Sequence, residues 1–148
     1  MQDETPPTES VWNGQHLTFS LGEQGYGVHM REVMEINRVQ PVTAIPDVMP
    51  WVRGVINLRG TVIPIVDLRR RMGLPSRDDD DRTCIVVVLE DQPVGLVVDR
   101  IGEVVDFDPE AVEPVEPVAG AGCLQGIARG ADASLTMIID PRAVVAGA

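Results

Sequence analysis

Hydrophobic and polar residues alternate along residues 16–21, with Leu17, Phe19 and Leu21 on one face, a spacing that predicts a half-buried strand. Gly22-Glu23-Gln24-Gly25 reads as a hairpin turn, and a second strand is predicted over 26–30. The next six residues, REVMEI, fit a short helical turn and a bent strand equally well. Pro41, Pro46 and Pro50 mark 40–50 as a surface connector. The densest pattern is WVRGVINLRGTVIPIVDLRRRMGLP, residues 51–75. Val52, Val55, Ile56 and Leu58 lead into a tight turn at Arg59-Gly60, where glycine supplies a positive φ. A β-branched strand follows over 61–66, and Asp67 is placed to cap a short helix over 68–72. Gly73 and Pro75 end that helix. Strands resume over 84–89 and 94–98, and a last strand is predicted over 135–139, before a helix that starts with Pro141. Residues 106–117 read as an acidic connector, 120–130 as a glycine-rich loop and 1–13 as a flexible leader.

The second half of this pattern repeats the first. Laying YGVHMREVMEI over VGLVVDRIGEV aligns Gly27 with Gly95 and Glu35 with Glu103, both at a separation of 68 positions. Gly54 aligns with Gly126 at 72 and Asp67 with Asp140 at 73, so the insertions fall in loops. Each half reads hairpin, connector, glycine-containing turn, strand and Asp-capped helix. The expected architecture is all-β: two packed five-stranded β-barrel subdomains with short capping helices, centred on about residues 20–75 and 84–140 of one domain spanning 14–148. A half of about 65 residues is marginal alone, so the two are expected to share a core and to leave a groove between them.

Composition sharpens this picture. The chain is 44% hydrophobic but only 3% aromatic, so the core is aliphatic. Twenty-three acids against twelve bases give a net charge of −11, which argues against nucleic-acid backbones as a partner. A small-barrel nucleic-acid binder would need a basic groove with stacking aromatics, and the chain offers neither. Cys84 and Cys123 lie beside apolar runs without metal-ligand spacing and read as buried, reduced thiols of a cytosolic protein. The first ten residues are polar rather than signal-like, and no apolar run approaches the ~20 residues of a membrane span. The run Asp78–Asp81 lacks the ligand spacing and glycine of a calcium loop and reads as a solvated acidic loop.

No nucleophile elbow, catalytic triad, phosphate loop or dinucleotide fingerprint is present, and no metal or cofactor is expected. His16 heads a strand and is expected to be exposed; His29 reads as a structural residue. The chain is therefore read as a recognition module and not an enzyme. Val33, Glu35 and Ile36 set apolar groups beside a charge. Arg59, at a turn tip, has three readings of equal weight: a donor to a partner's carboxylate, an internal partner of Glu35, or a solubilising charge.

The segment VRGVINLRGTVIPIVDLRRRMGLP resembles the signature of the CheW coupling proteins of bacterial chemosensory arrays. LTFSLGEQGYGVHMREVMEI, CIVVVLEDQPVGLVVDRIGEV and GIARGADASLTMIID agree in order, so the resemblance spans about residues 15–145. It implies the CheW-like fold of two five-stranded barrels. It also implies a cytoplasmic, non-enzymatic adaptor joining the tips of chemoreceptors to the histidine kinase CheA, with self-association in array rings. A non-chemotactic array governing pili or second messengers is the alternative. Carried over by position, Val33, Glu35 and Ile36 belong to a kinase-facing surface, Gly54, Asn57 and Arg59 to a central motif, and Gly95, Val98 and Val104 to a receptor-coupling groove.

Overall fold

The computed structural model describes residues 14–38, 40–75, 84–115, 122–130 and 132–146. The expected leader and the Asp78–Asp81 run lie outside them. The described residues form strands β1 (Gln15–Leu21), β2 (Gln24–His29), β3 (Val33–Arg38), β4 (Val52–Leu58), β5 (Thr61–Asp67), β6 (Cys84–Val88), β7 (Val94–Val98), β8 (Arg100–Asp106), β9 (Val112–Pro114), β10 (Leu124–Arg129) and β11 (Leu135–Ile139). Two short helices, α1 (Leu68–Arg71) and α2 (Pro141–Ala146), follow β5 and β11. The ambiguous REVMEI stretch is both of the things it resembled: a 3-10 turn over Met30–Glu32 runs straight into β3. The region read as a glycine-rich loop is largely β10, which accommodates Gly126 at a register shift against β11.

The strands make a five-stranded sheet of order β3-β6-β7-β5-β4 and a six-stranded sheet of order β8-β1-β2-β11-β10-β9. The two orders are equivalent. Replacing β3, β6, β7, β5 and β4 by their repeats gives β8, β1, β2, β11 and β10, and the three-residue β9 is the sixth strand. Its counterpart in the first sheet is a single bridge, Thr43 to Val55, with backbone hydrogen bonds of 2.9 Å in both directions. In each case the chain leaving one edge strand bends round to pair at the other edge, and so closes the sheet into a barrel.

The sheets do not follow the halves of the chain. The β1–β2 hairpin joins the strands after residue 100, and the β6–β7 hairpin joins β3, β4 and β5, through the parallel pairs β2–β11 and β5–β7. The expected division at 20–75 and 84–140 is therefore corrected. The first barrel is made of β3, β4, β5, β6 and β7, the second of β8, β9, β10 and β11 with β1 and β2. Exchanging hairpins ties the two barrels together covalently and lets each marginal half complete its sheet with the other.

Burial explains why the strands read as continuous apolar runs. All five residues of β7 are buried, because it faces a core on each side. Ile56, Ile63, Ile65, Val87 and Val97 fill the first barrel. Phe107, Val112, Ala128 and Ile138 fill the second. The largest cluster lies between them and draws Leu17, Phe19, Leu21 and Val28 from one sheet and Val66, Val86, Leu96 and Val98 from the other. Asp67 caps α1 as expected, its carboxylate accepting from the Arg70 amide at 3.3 Å. The arginines of that helix are staples as well as helix formers. Arg70 donates to the Pro50 carbonyl at 2.9 Å. Arg71 donates to the Val144 carbonyl at 2.9 Å at the end of α2, and its guanidinium lies 5.0 Å from the Trp51 ring centre.

Candidate docking surfaces

The central motif is built on the β4–β5 hairpin. Leu58 pairs with Thr61, leaving a two-residue turn in which Arg59 (φ 51°) and Gly60 (φ 87°) both adopt the left-handed conformation. Positive φ is thus shared by an arginine, where the sequence had assigned it to glycine alone. The Asn57 carboxamide oxygen accepts from the Gly60 amide at 2.8 Å and fixes the turn from below. Arg59 donates to the Glu35 carboxylate, so of its three readings the internal partner is present, while the Arg59 side chain remains 70% exposed. Glu35 lies on β3 and Arg59 on the tip opposite, so the pair spans the mouth of the first barrel. Gly54 has a different task. A Cβ there would sit 2.0 Å from the Thr43 carbonyl oxygen, and its φ is 143°, so only glycine lets the Thr43 segment close the barrel.

Of the three residues carried over as kinase-facing, Ile36 is exposed. Glu35 is half-buried and bonded to Arg59, and Val33 packs against the core between the barrels. Met34, exposed to the same 44% as Ile36, was missed although the strand's two-residue period pairs it with Ile36. Val62, beside the turn tip, is 63% exposed. The three residues carried over as a receptor-coupling groove are not brought together as one surface. Gly95 and Val98 are buried in β7, whereas Val104 is exposed on β8 in the other sheet.

Sequence reasoning also missed the joint between the barrels. Asp99 lies where the chain passes from β7 to β8. Its carboxylate takes two hydrogen bonds from Arg69, at 2.9 Å (Nε) and 2.7 Å (Nη2), and one from the Gly22 amide at 2.7 Å. The guanidinium pKa of Arg69 is raised, chiefly by this hydrogen bond. An aspartate after an apolar run and one of three consecutive arginines carry no signal that they meet.

His16 is corrected from exposed to fully buried. Its ring meets those of His29 and Phe107 edge-on, at 4.9 and 5.7 Å between centres. Loss of solvent and the neighbouring His29 lower its pKa to about 4, partly opposed by the Gly14 backbone and the Asp106 charge. His29 accepts from the Arg31 amide through Nδ1 at 3.0 Å, in keeping with its structural reading. Cys123 is buried, and burial raises its pKa. Among the described residues no group of three metal-ligating side chains converges, and no helix is long and apolar enough to cross a membrane.

The CheW-like domain model matches residues 15–148. The chemotaxis protein CheW of Bacillus subtilis is 31% identical over 83% of this chain and 74% of that protein. Protein PilI of Pseudomonas aeruginosa is 34% identical over 71% of this chain and 61% of that protein. The crystal structure of scaffolding protein TtCheW from Thermoanaerobacter tengcongensis superposes with a TM-score of 0.80 at 34% identity, covering 86% of this chain and 89% of that one. With two hairpin-exchanged barrels, the Asn57–Gly60 turn and a match along nearly the whole fold, the chain belongs to the CheW-like domain family.

Proposed function

We propose that this chain is an adaptor that couples chemoreceptors to the histidine kinase CheA, holding both in a geometry where receptor state biases kinase activity. The observation that carries this reading is the coincidence of a family match over residues 15–148 with a surface that has exposed apolar groups beside a built turn and no catalytic constellation among the described residues. Coupling of this kind is a free energy shared between two contacts and needs no chemistry. The kinase-facing surface is assigned to β3 and the turn tip: Ile36 and Met34 supply apolar contact, and Glu35 and Arg59 form the polar edge. Val104 on β8 is assigned to the receptor side, with Gly95 and Val98 as the buried strand behind the groove. The protein works in the cytoplasm at receptor arrays, where copies also meet one another.

Two substitutions test whether the surfaces are separable. Ile36→Asp should abolish co-elution of the kinase from native lysate and leave that of receptors intact, and Val104→Asp should do the reverse. Loss of both partners in either variant, with the fold retained by circular dichroism, would overturn the assignment. The family leaves a second reading, an adaptor in an array that does not serve chemotaxis. The identity of the co-eluting kinase decides between the two.

A further inference from the structure

The mouths of the two barrels are equivalent positions with opposite contents. In the first, Glu35 on β3 faces the tip of the β4–β5 hairpin and is latched by Arg59. In the second, the equivalent glutamate is Glu103 on β8, and the facing tip is that of the β10–β11 hairpin. Gly130 donates to the Ser134 carbonyl at 2.8 Å, which leaves a three-residue tip in place of two. This one residue is the step from a separation of 72 to one of 73 between the repeats. It places Ala133 (φ 70°) at the position of Gly60 and Asp132 at the position of Arg59. The latch is thus replaced by two carboxylates.

A cavity of about 470 Å³ opens between them. Glu103 and Asp132 line it, with Thr18, Ser20, Ser134 and Thr136 as hydroxyl donors and acceptors. Asp132 is committed to its own turn, accepting from the Ser134 hydroxyl at 2.6 Å and amide at 3.2 Å, which lower its pKa. The Glu103 carboxylate has no ion pair among the described residues. Arg100, also on the rim, pairs with neither acid. In the first barrel Val87, equivalent by strand register to Thr18, is a buried apolar residue.

We propose that this open mouth is a docking site for an arginine side chain carried by a partner protein, which takes beside Glu103 the place that Arg59 takes beside Glu35. The chemistry of the occupant follows from the occupied copy: a planar guanidinium bonded to a carboxylate at a barrel rim. Two acids at the rim of this cavity, on a chain of net charge −11, favour a cation there. A divalent metal is disfavoured, since among the described residues no third carboxylate, histidine or cysteine joins the two acids. The inference rests on the reading that this chain works by docking proteins, but it does not depend on which partner binds.

The test uses the whole chain, ¹⁵N-labelled, titrated with the blocked tripeptide acetyl-Gly-Arg-Gly-amide and with its citrulline analogue. The arginine peptide should give saturable shifts at Gly102, Gly130, Ser134 and Thr136 with a Kd of about 1–30 mM, and the neutral analogue none. Glu103→Gln should weaken binding about five-fold or more. Asp132→Arg should supply the missing latch from within and abolish peptide binding. Shifts that map elsewhere, an equal response to citrulline, or no effect of Glu103→Gln would each overturn the site. Wild-type co-elution with kinase and receptor is read separately, so failure of the adaptor reading and failure of this site are distinguishable.

Discussion

The first barrel is barred at its mouth by an ion pair, whereas the second, with the same strand order, opens at the corresponding end into a cavity edged by two carboxylates. In the first, Val87 fills the interior and an Arg59–Glu35 pair bars the mouth. In the second, His16 is buried where strand register places Ile85 in the first, and the mouth is a lined cavity. The difference shows that one topology is compatible with two kinds of interior, provided that the core between the barrels carries most of the hydrophobic burial. Among the described residues that shared core holds sixteen buried residues against five inside the first barrel and four inside the second. A barrel supported from outside is free to keep polar groups within.

The largest expected effect distinguishes two glycines under close approach, one in each barrel. Gly54→Ala forces a Cβ into the Thr43 carbonyl and a side chain onto a φ of 143°, and should cost about 3 kcal/mol or more. Gly102→Ala in the second barrel meets the Thr18 hydroxyl at 2.6 Å and, less tightly, the Thr18 carbonyl oxygen at 3.2 Å. That hydroxyl rotates away and loses its 2.6 Å hydrogen bond to the Glu103 carbonyl, at a cost of about 1 kcal/mol. Urea denaturation of the two variants measures both. Equal losses would show that the two glycines are equally confined.

The next effect distinguishes the interiors by pH. Unfolded His16 takes up a proton near pH 6.5, but the folded residue stays neutral until about pH 4. Between these values acid protonates only the unfolded chain, so His16 lowers stability progressively as pH falls through that window, by about 3 kcal/mol in total. His16→Ile copies the first barrel's residue at that strand position and should remove this part of the pH dependence. Stability curves from pH 7 to pH 4 that are parallel for wild type and variant would show that His16 is not the group responsible.

What could be read from the sequence was local. Strand alternation, the Asp67 cap and the 68- and 72-residue repeats are set by neighbours a few residues apart, or by matching residues at equal places in the two halves. The exchange of hairpins was not legible, because strands buried on both faces lose the alternation that would say which sheet they face. The His16 error has the same origin. A residue at the start of a strand has no periodic signal of burial, and the ring is covered by Phe107 from a distant part of the chain. At the docking surfaces the turn residues Asn57 and Arg59 were legible as a motif. The partner of Arg59 was one reading among three, since bringing Glu35 opposite the tip depends on closure through Thr43.

The smallest expected change in stability concerns Arg59 itself. A left-handed φ costs a non-glycine residue about 1 kcal/mol. The ion pair with Glu35 is largely exposed on the arginine side, so it returns only about 0.5 kcal/mol. Arg59→Gly removes both contributions, and its stability in urea should lie within about 0.5 kcal/mol of wild type or slightly above it. A residue held in a conformation that glycine would adopt more easily, for a pair that barely offsets the strain, is better explained by what its exposed guanidinium contacts than by the barrel it closes. Receptor control of the kinase in a reconstituted array should accordingly fall in Arg59→Gly while the fold is unchanged. A loss of stability above about 1.5 kcal/mol with coupling retained would reverse the conclusion, making the pair a structural latch and the two mouths different in shape alone.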